Sequence, residues 1–281
     1  MSDFTDTIPI LINKTHFVQG SQSTYRYNLP LGGISIKFGD VLSLASVDLY
    51  YSWFNITEEE GNNQVSFIFN GTTYNLTLPD GFYTIEDLDS AFQHFFINNN
   101  LYLIDSNGNH VYYVKLTTNP VRYRTQLDLF LMPTTLPSGF TDPGSFPFPA
   151  TSETPQIIIN SLFGVRIGFD AGTYPTTPSN VKYEILGQNT PIISTVQSIL
   201  VRTNLINNGQ FSNPSDLLTT FTVPQGTRIG AVIRYEEHNN NMNAQPGKYT
   251  FFEIEFTDQL YEPLKLQDKD ATILLILKIH K

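Results

Sequence analysis

Apolar and polar positions alternate with a period of two along much of the chain, and that alternation predicts half-buried strands. From Ala45 onward, Val47, Leu49, Tyr51 and Trp53 fall on one face, and Ser46, Asp48, Tyr50 and Ser52 on the other. Between Tyr123 and Leu131 the same rule groups Tyr123, Thr125, Leu127, Leu129 and Leu131 against Arg124, Gln126 and Asp128. Ile199, Val201, Thr203 and Leu205 oppose Leu200, Arg202 and Asn204, and Phe252, Ile254 and Phe256 oppose Phe251, Glu253 and Glu255. In the last segment Ile273, Leu275, Leu277 and Ile279 share a face. The other face holds Leu274 and Ile276 and turns polar only at Lys278 and His280, which predicts a central strand.

Turn chemistry separates these runs. Asn70-Gly71 and Asn107-Gly108 each lie between two strand patterns, and both residue types tolerate the positive φ of tight hairpin turns. Residues 132 to 155 are rich in Pro and Gly, have neither period, and read as a long surface loop. One stretch has helical spacing. After Pro79-Asp80-Gly81, Thr84 is placed to cap with Asp87. Ile85, Leu88, Phe92, Phe95 and Phe96 then share an arc beside Ala91, with Glu86, Asp87, Gln93 and His94 facing away. Such a helix is expected to close a core. Strands at short spacing with one or two short helices predict an all-β, antiparallel β-sandwich, with a jelly roll the natural candidate, because parallel strands would require repeated crossover helices.

Composition removes several classes. The formal net charge is −10, with no basic block to offset it, so direct nucleic-acid binding is not expected. The chain has no cysteine, hence no disulfide, thiolate nucleophile or thiolate-ligated metal. The N-terminus carries two aspartates ahead of a short apolar run and does not fit a secretory signal. The longest apolar run, "ATILLIL", is far short of the roughly 20 residues of a membrane-spanning helix.

Candidate chemistry is sparse. Glu253 and Glu255 share a strand face at about 7 Å, the spacing of residues two apart on a strand, and any wet strand face shows the same pattern. Glu58-Glu59-Glu60 reads as a solvated loop. His16, His94, His110, His238 and His280 are scattered without metal-ligand spacing. "DSNGNH", from Asp105, resembles the start of a calcium loop but places Leu116 where the bidentate glutamate belongs, so it reads as a turn. Gly247-Lys248 leads into a strand pattern and not the helix of a phosphate loop, and Gly32-Gly33 lacks the third glycine of a dinucleotide site. The aromatics of "DLYYSWFN" read as core before they read as a stacking platform. No catalytic, cofactor-binding or metal-ligating residue is assigned.

Four stretches taken together are similar to the penton, or minor capsid, proteins of virophages and Polinton-type viruses. They are "LASVDLYYSWFNI" running into "VSFIFNGTTYNLTLPDGFYTIEDLDSAF", then "SILVRTNLINNGQFSNPSDLLTTF", "FFEIEFTDQLYEPLKL" and "DKDATILLILKIHK". They cover most of residues 42 to 104 and 197 to 281. The resemblance implies a single jelly roll with an inserted segment, and a structural role without catalysis or cofactor. It further implies a homopentamer at the fivefold vertices of an icosahedral virion, beside a double jelly-roll major capsid protein and in reach of a fibre or another minor capsid protein. On this reading residues 1–22 are an N-terminal arm that orders against neighbouring capsomers. Residues 23–281 form the jelly-roll domain, with an insertion within about 60–195. The rival expectation is a host-attachment or glycan-binding jelly-roll module, and a β-sandwich hydrolase stands further off.

Overall fold

The structure, a computed structural model, describes residues 4–30, 32–209, 214–224, 226–237 and 241–280. The chain divides into two compact units, one of Met1–Trp53 with Val196–Lys281, the other of Phe54–Thr195.

The first unit begins with β1 (Phe4–Ile12), β2 (Thr24–Asn28), the short β3 (Ile34–Ile36) and the ten-residue β4 (Val41–Tyr50). The second unit follows with β5 (Gln64–Phe69), β6 (Thr72–Thr77), helix α1 (Ile85–Asn98), β7 (Tyr102–Ile104), β8 (His110–Tyr112), β9 (Val114–Asn119) and β10 (Arg124–Leu129). It ends with β11 (Gln156–Ile159), helix α2 (Ser161–Ile167), β12 (Gly172–Tyr174) and β13 (Tyr183–Leu186). The chain then returns to the first unit as β14 (Ile199–Thr203), β15 (Leu217–Phe221), β16 (Val232–Glu236), β17 (Met242–Asn243), β18 (Gly247–Tyr249), β19 (Phe251–Thr257) and β20 (Ala271–His280).

Pairing in the first unit is nested. With β1, β2, β4, β14, β15, β16, β19 and β20 taken in chain order, the first pairs with the last, the second with the seventh, the third with the sixth and the fourth with the fifth, all antiparallel. Folding such a doubled-back ribbon across itself yields two sheets, β1-β20-β4-β16 and β15-β14-β19-β2. That is the topology of a jelly roll. The inner faces alternate, with one bulge at Ala45 that switches the parity of β4: Leu42, Leu44, then Val47, Leu49, with Ile273, Leu275 and Leu277, are buried from one sheet, and Tyr25, Val201, Phe252, Ile254 and Phe256 from the other. Phe221 of β15 stacks on Tyr235 of β16 at 4.8 Å between ring centroids, joining the two sheets along one side. As its two apolar faces predict, β20 lies between β1 and β4.

The N-terminal segment departs from the arm expected for residues 1–22. Phe4–Ile12 is the first jelly-roll strand, and its Ile10 and Ile12 are buried. Pro9 disguises it, because proline breaks most strand patterns. Among the described residues the strand bonds to β20 alone, an edge position where a missing N–H is tolerated. Lys14–His16 form a 3-10 turn capped by Asn13, and residues 1–3 lie outside the described residues.

The second unit has its own core. Asn70 and Gly71 both take positive φ, 45° and 74°, in the two-residue turn that joins β5 to β6. Asn107-Gly108 instead sits within a five-residue loop between β7 and β8, where the Asp105 carboxylate accepts the N–H groups of Asn107 and Asn109. Thr84 caps α1 as its sequence predicts: its hydroxyl accepts the Asp87 N–H at 3.1 Å and the Asp87 carboxylate accepts the Thr84 N–H at 3.0 Å. The apolar arc of α1 buries Leu88, Phe92 and Phe96. Phe92 and Phe96 meet Phe67 of β5 edge-on, at 5.0 and 4.9 Å between centroids. Each such burial stabilises by about 1.5–3 kcal/mol. Among the described residues no strand lies between Leu129 and Gln156. That loop is pinned through buried Met132 and Phe146, and the Asp142 carboxylate accepts the N–H groups of Gly144 and Phe146.

Candidate functional surface

The outer face of each jelly-roll sheet follows from the residues that alternate with its core. On β15-β14-β19-β2 they are charged and paired. Glu253 of β19 bonds Arg26 of β2 at 2.6 Å, and the same guanidinium lies 4.6 Å from the centre of the Phe251 ring. One residue pair along, Arg202 of β14 bridges Asp216 at 3.0 Å and Glu255 at 3.3 Å. Glu253 and Glu255, the carboxylate pair that alternation places on one face, therefore each hold an arginine. They act as rungs of an ion-paired lattice, not as a free acid and base facing a shared substrate.

The outer face of β1-β20-β4-β16 is different. Its cross-strand pairs include Leu11 with Leu274 and Pro9 with Ile276, both apolar, and Leu11 is 54% exposed. Towards the other end of the sheet Arg234 of β16 forms an ion pair with Asp48 of β4 at 2.8 Å. These two, with Tyr50, Asp270 and Thr272, line a depression of about 550 Å³. The depression offers hydrogen-bonding groups, and its Asp48 is already held by Arg234.

The remaining candidates are dispersed. Tyr51 and Trp53 pack together at 4.6 Å between ring centres and are buried, so these aromatics of "DLYYSWFN" belong to the core. Glu60, read as part of a solvated loop, is instead tied to the half-buried Arg166 of α2 at 2.6 Å. Asp105 is committed to its turn, and the bonds from Asn109 hold its carboxyl below the usual range. Gly247 and Lys248 pair with β3. His16, His94, His110 and His280 lie on separate elements, and His238 is outside the described residues, as are 210–213 within the second stretch of the resemblance. Among the described residues no three His, Asp or Glu side chains gather as a metal site, and no helix is long and apolar enough to cross a membrane.

One exposed feature escaped the alternation rule. Tyr123, grouped above with Leu127 and Leu129, is not in β10. It occupies the tip of the β9–β10 hairpin with φ of 51° and is 76% exposed, and Val121 beside it is 87% exposed. The signal was local: Asn119-Pro120 is a turn dipeptide, and a chain turning there carries the next residues to the tip.

In comparisons with solved structures the whole chain aligns with virophage proteins. One match is the mavirus penton protein. That likeness covers 99% of this chain and 100% of the other, at 11% sequence identity and a TM-score of 0.46. A chain of the Sputnik virophage structure determined by cryo-EM aligns over 98% of each chain, at 13% identity and a TM-score of 0.41. No family model matches the sequence, and no curated protein matches it.

Proposed function

We propose that this protein is a structural penton, or minor capsid, protein. Its copies form a pentamer at the fivefold vertices of an icosahedral virion, next to a double jelly-roll major capsid protein. The observation that carries the reading is the set of sequence blocks quoted above, found here in a chain whose eight nested strands flank an insertion placed between the third and the fourth. A single jelly roll with an elaborated middle is what the sequence blocks quoted above lead one to expect of such a protein. Fold alone does not assign function, so the role rests on those blocks and the architecture agrees with it.

The physics of assembly fits. A ring of five copies needs a heterologous contact between two different surfaces of one protomer. The two outer sheet faces differ, one ion-paired and the other apolar along Leu11, Leu274 and Ile276. The reading assigns no catalysis and no cofactor. It is tested by the mass of the purified protein in solution, alone and mixed with a double jelly-roll major capsid protein from the same virus. Pentamers in either sample support the proposal. A monomer or trimer that does not associate with the shell protein overturns it.

A further inference from the structure

The β9–β10 hairpin tip carries an exposed tyrosine, Tyr123, whose chain neighbours are Arg122 and Arg124. Arg26, Arg166, Arg202 and Arg234 are each held by a carboxylate. Arg122 and Arg124 have no such partner among the described residues: Arg122 is exposed, and Arg124 donates only to the carbonyl of Gly187 at 3.1 Å. The acidic groups nearby are otherwise engaged. Glu86 accepts the Thr118 hydroxyl at 2.7 Å, and Asp170 accepts the Asn189 amide at 2.9 Å. Two guanidinium groups without a carboxylate in contact leave donors on one tip open to a carboxylate supplied by a ligand. The tip is also strained, since a tyrosine at positive φ is disfavoured and survives where the surroundings impose it. The Tyr123 ring stands exposed to solvent at this tip.

We propose that this tip, residues Val121 to Arg124, binds a saccharide that carries a carboxylate, a terminal acidic sugar on a glycan. A guanidinium presents paired donors matched to the two oxygens of a carboxylate. The Tyr123 ring and Val121 offer an apolar surface to the C–H face of the sugar ring. Size and charge narrow the class of ligand. Four residues on a convex tip fall well short of the about 1,200–2,000 Å² that a stable protein interface buries. A polyanion such as nucleic acid would meet repulsion from the rest of this acidic chain at many phosphates, whereas a sugar with one carboxylate meets little. A contact this small is weak alone and gains strength when several copies engage several glycans together. The inference does not depend on the capsid role.

The test compares sialyllactose with lactose, which share the neutral core and differ by the acidic sugar, using saturation-transfer NMR and the protein displayed in many copies on a glycan surface. The expected result is a preference for the acidic ligand of about tenfold or more, the worth of one charge-assisted contact. Arg122→Gln abolishes the preference and Arg122→Lys retains part of it. Tyr123→Gly weakens binding while relieving the turn, so its thermal midpoint does not fall. Arg228→Gln, an equal charge change on an exposed loop of the other unit, leaves binding unchanged. Equal signals for lactose and sialyllactose would overturn the proposal. So would undiminished binding by Arg122→Gln, or a stronger response to a polyglutamate peptide or an oligonucleotide than to the sugar.

Discussion

Asp89 of α1 accepts the backbone N–H of Leu116 on β9 at 2.7 Å, and its second oxygen accepts the Gln93 amide at 2.7 Å. The carboxylate lies on the buried side of a helix whose exposed side carries the other acids. Burial raises its pKa above the ordinary carboxylate value, and the two hydrogen bonds pull in the opposite direction. Because the folded pKa lies above the unfolded one, the folded state takes up its proton first as pH falls. Asp89 therefore opposes folding most at neutral pH, and that penalty is relieved as pH drops through the raised pKa towards 3.8. In urea titrations Asp89→Asn is expected to match or exceed the wild type at pH 7, with its advantage shrinking at lower pH. Asp89→Ala, which strands the Leu116 N–H, is expected to lose about 1–3 kcal/mol. A stability difference between Asp89→Asn and the wild type that does not change with pH would refute the burial argument.

Removal of residues 1–12 tests the placement of β1. An arm that orders only against neighbours could be cut without harm to the isolated protein. A strand that buries Ile10 and Ile12 and covers the edge of β20 could not. The truncated chain is expected to unfold at clearly lower denaturant, since each of the two isoleucines contributes about 1.5–3 kcal/mol of burial. An unchanged midpoint would return the segment to the status of an arm.

Phe67 is the hub of the second unit's aromatic core, in contact with Phe92, Phe95 and Phe96. Phe67→Ala is expected to cost about 3–5 kcal/mol through lost burial and the cavity it leaves. Phe95→Ala, at a side chain only partly buried, is expected to cost less. Calorimetry on both variants gives the order directly, and a reversed order would mean that α1 is turned about its axis from the orientation described here.

Two glycines separate backbone strain from steric contact. Gly71 has φ of 74° and open space where a Cβ would stand. Gly168, which ends α2, has φ of 80° and would place a Cβ 2.4 Å from the Asn189 carbonyl oxygen. Gly71→Ala is expected to cost about 1 kcal/mol. Gly168→Ala must also push back the segment that carries Asn189, and its thermal midpoint is expected to fall further. Equal losses would show that this segment yields freely.

The legible parts of the fold were those whose pattern is local. The inward faces of β4, β14, β19 and β20, the Asn70-Gly71 turn and the cap at Thr84 all follow from residues a few positions apart. What stayed hidden depends on distant partners. Nothing near Pro9 announces that β20 will provide a bonding edge, and Asp89 looks like one more polar helix residue until Leu116 arrives to meet it. Tyr123 was misplaced because alternation continues on paper past the end of a strand, while the chain is already turning. Glu60 shows the same limit, since Arg166, its partner, is far away in sequence. The candidate surface was least legible of all, because an arginine without a carboxylate can be recognised only after every carboxylate has been placed.

The nested pairing also sets an order of manufacture. During synthesis the residues that fill the gap between β1 and β4 emerge after every other strand of the first unit, because β20 follows them all in the chain. Until then the first strand made has no neighbour to bond, and its long-range closure is the slow kind of step. Phe54–Thr195 is one uninterrupted stretch and can finish its own core much earlier. A nascent chain arrested just short of residue 271 would carry one folded unit and one open sheet, so β20 is the strand whose arrival closes the jelly roll.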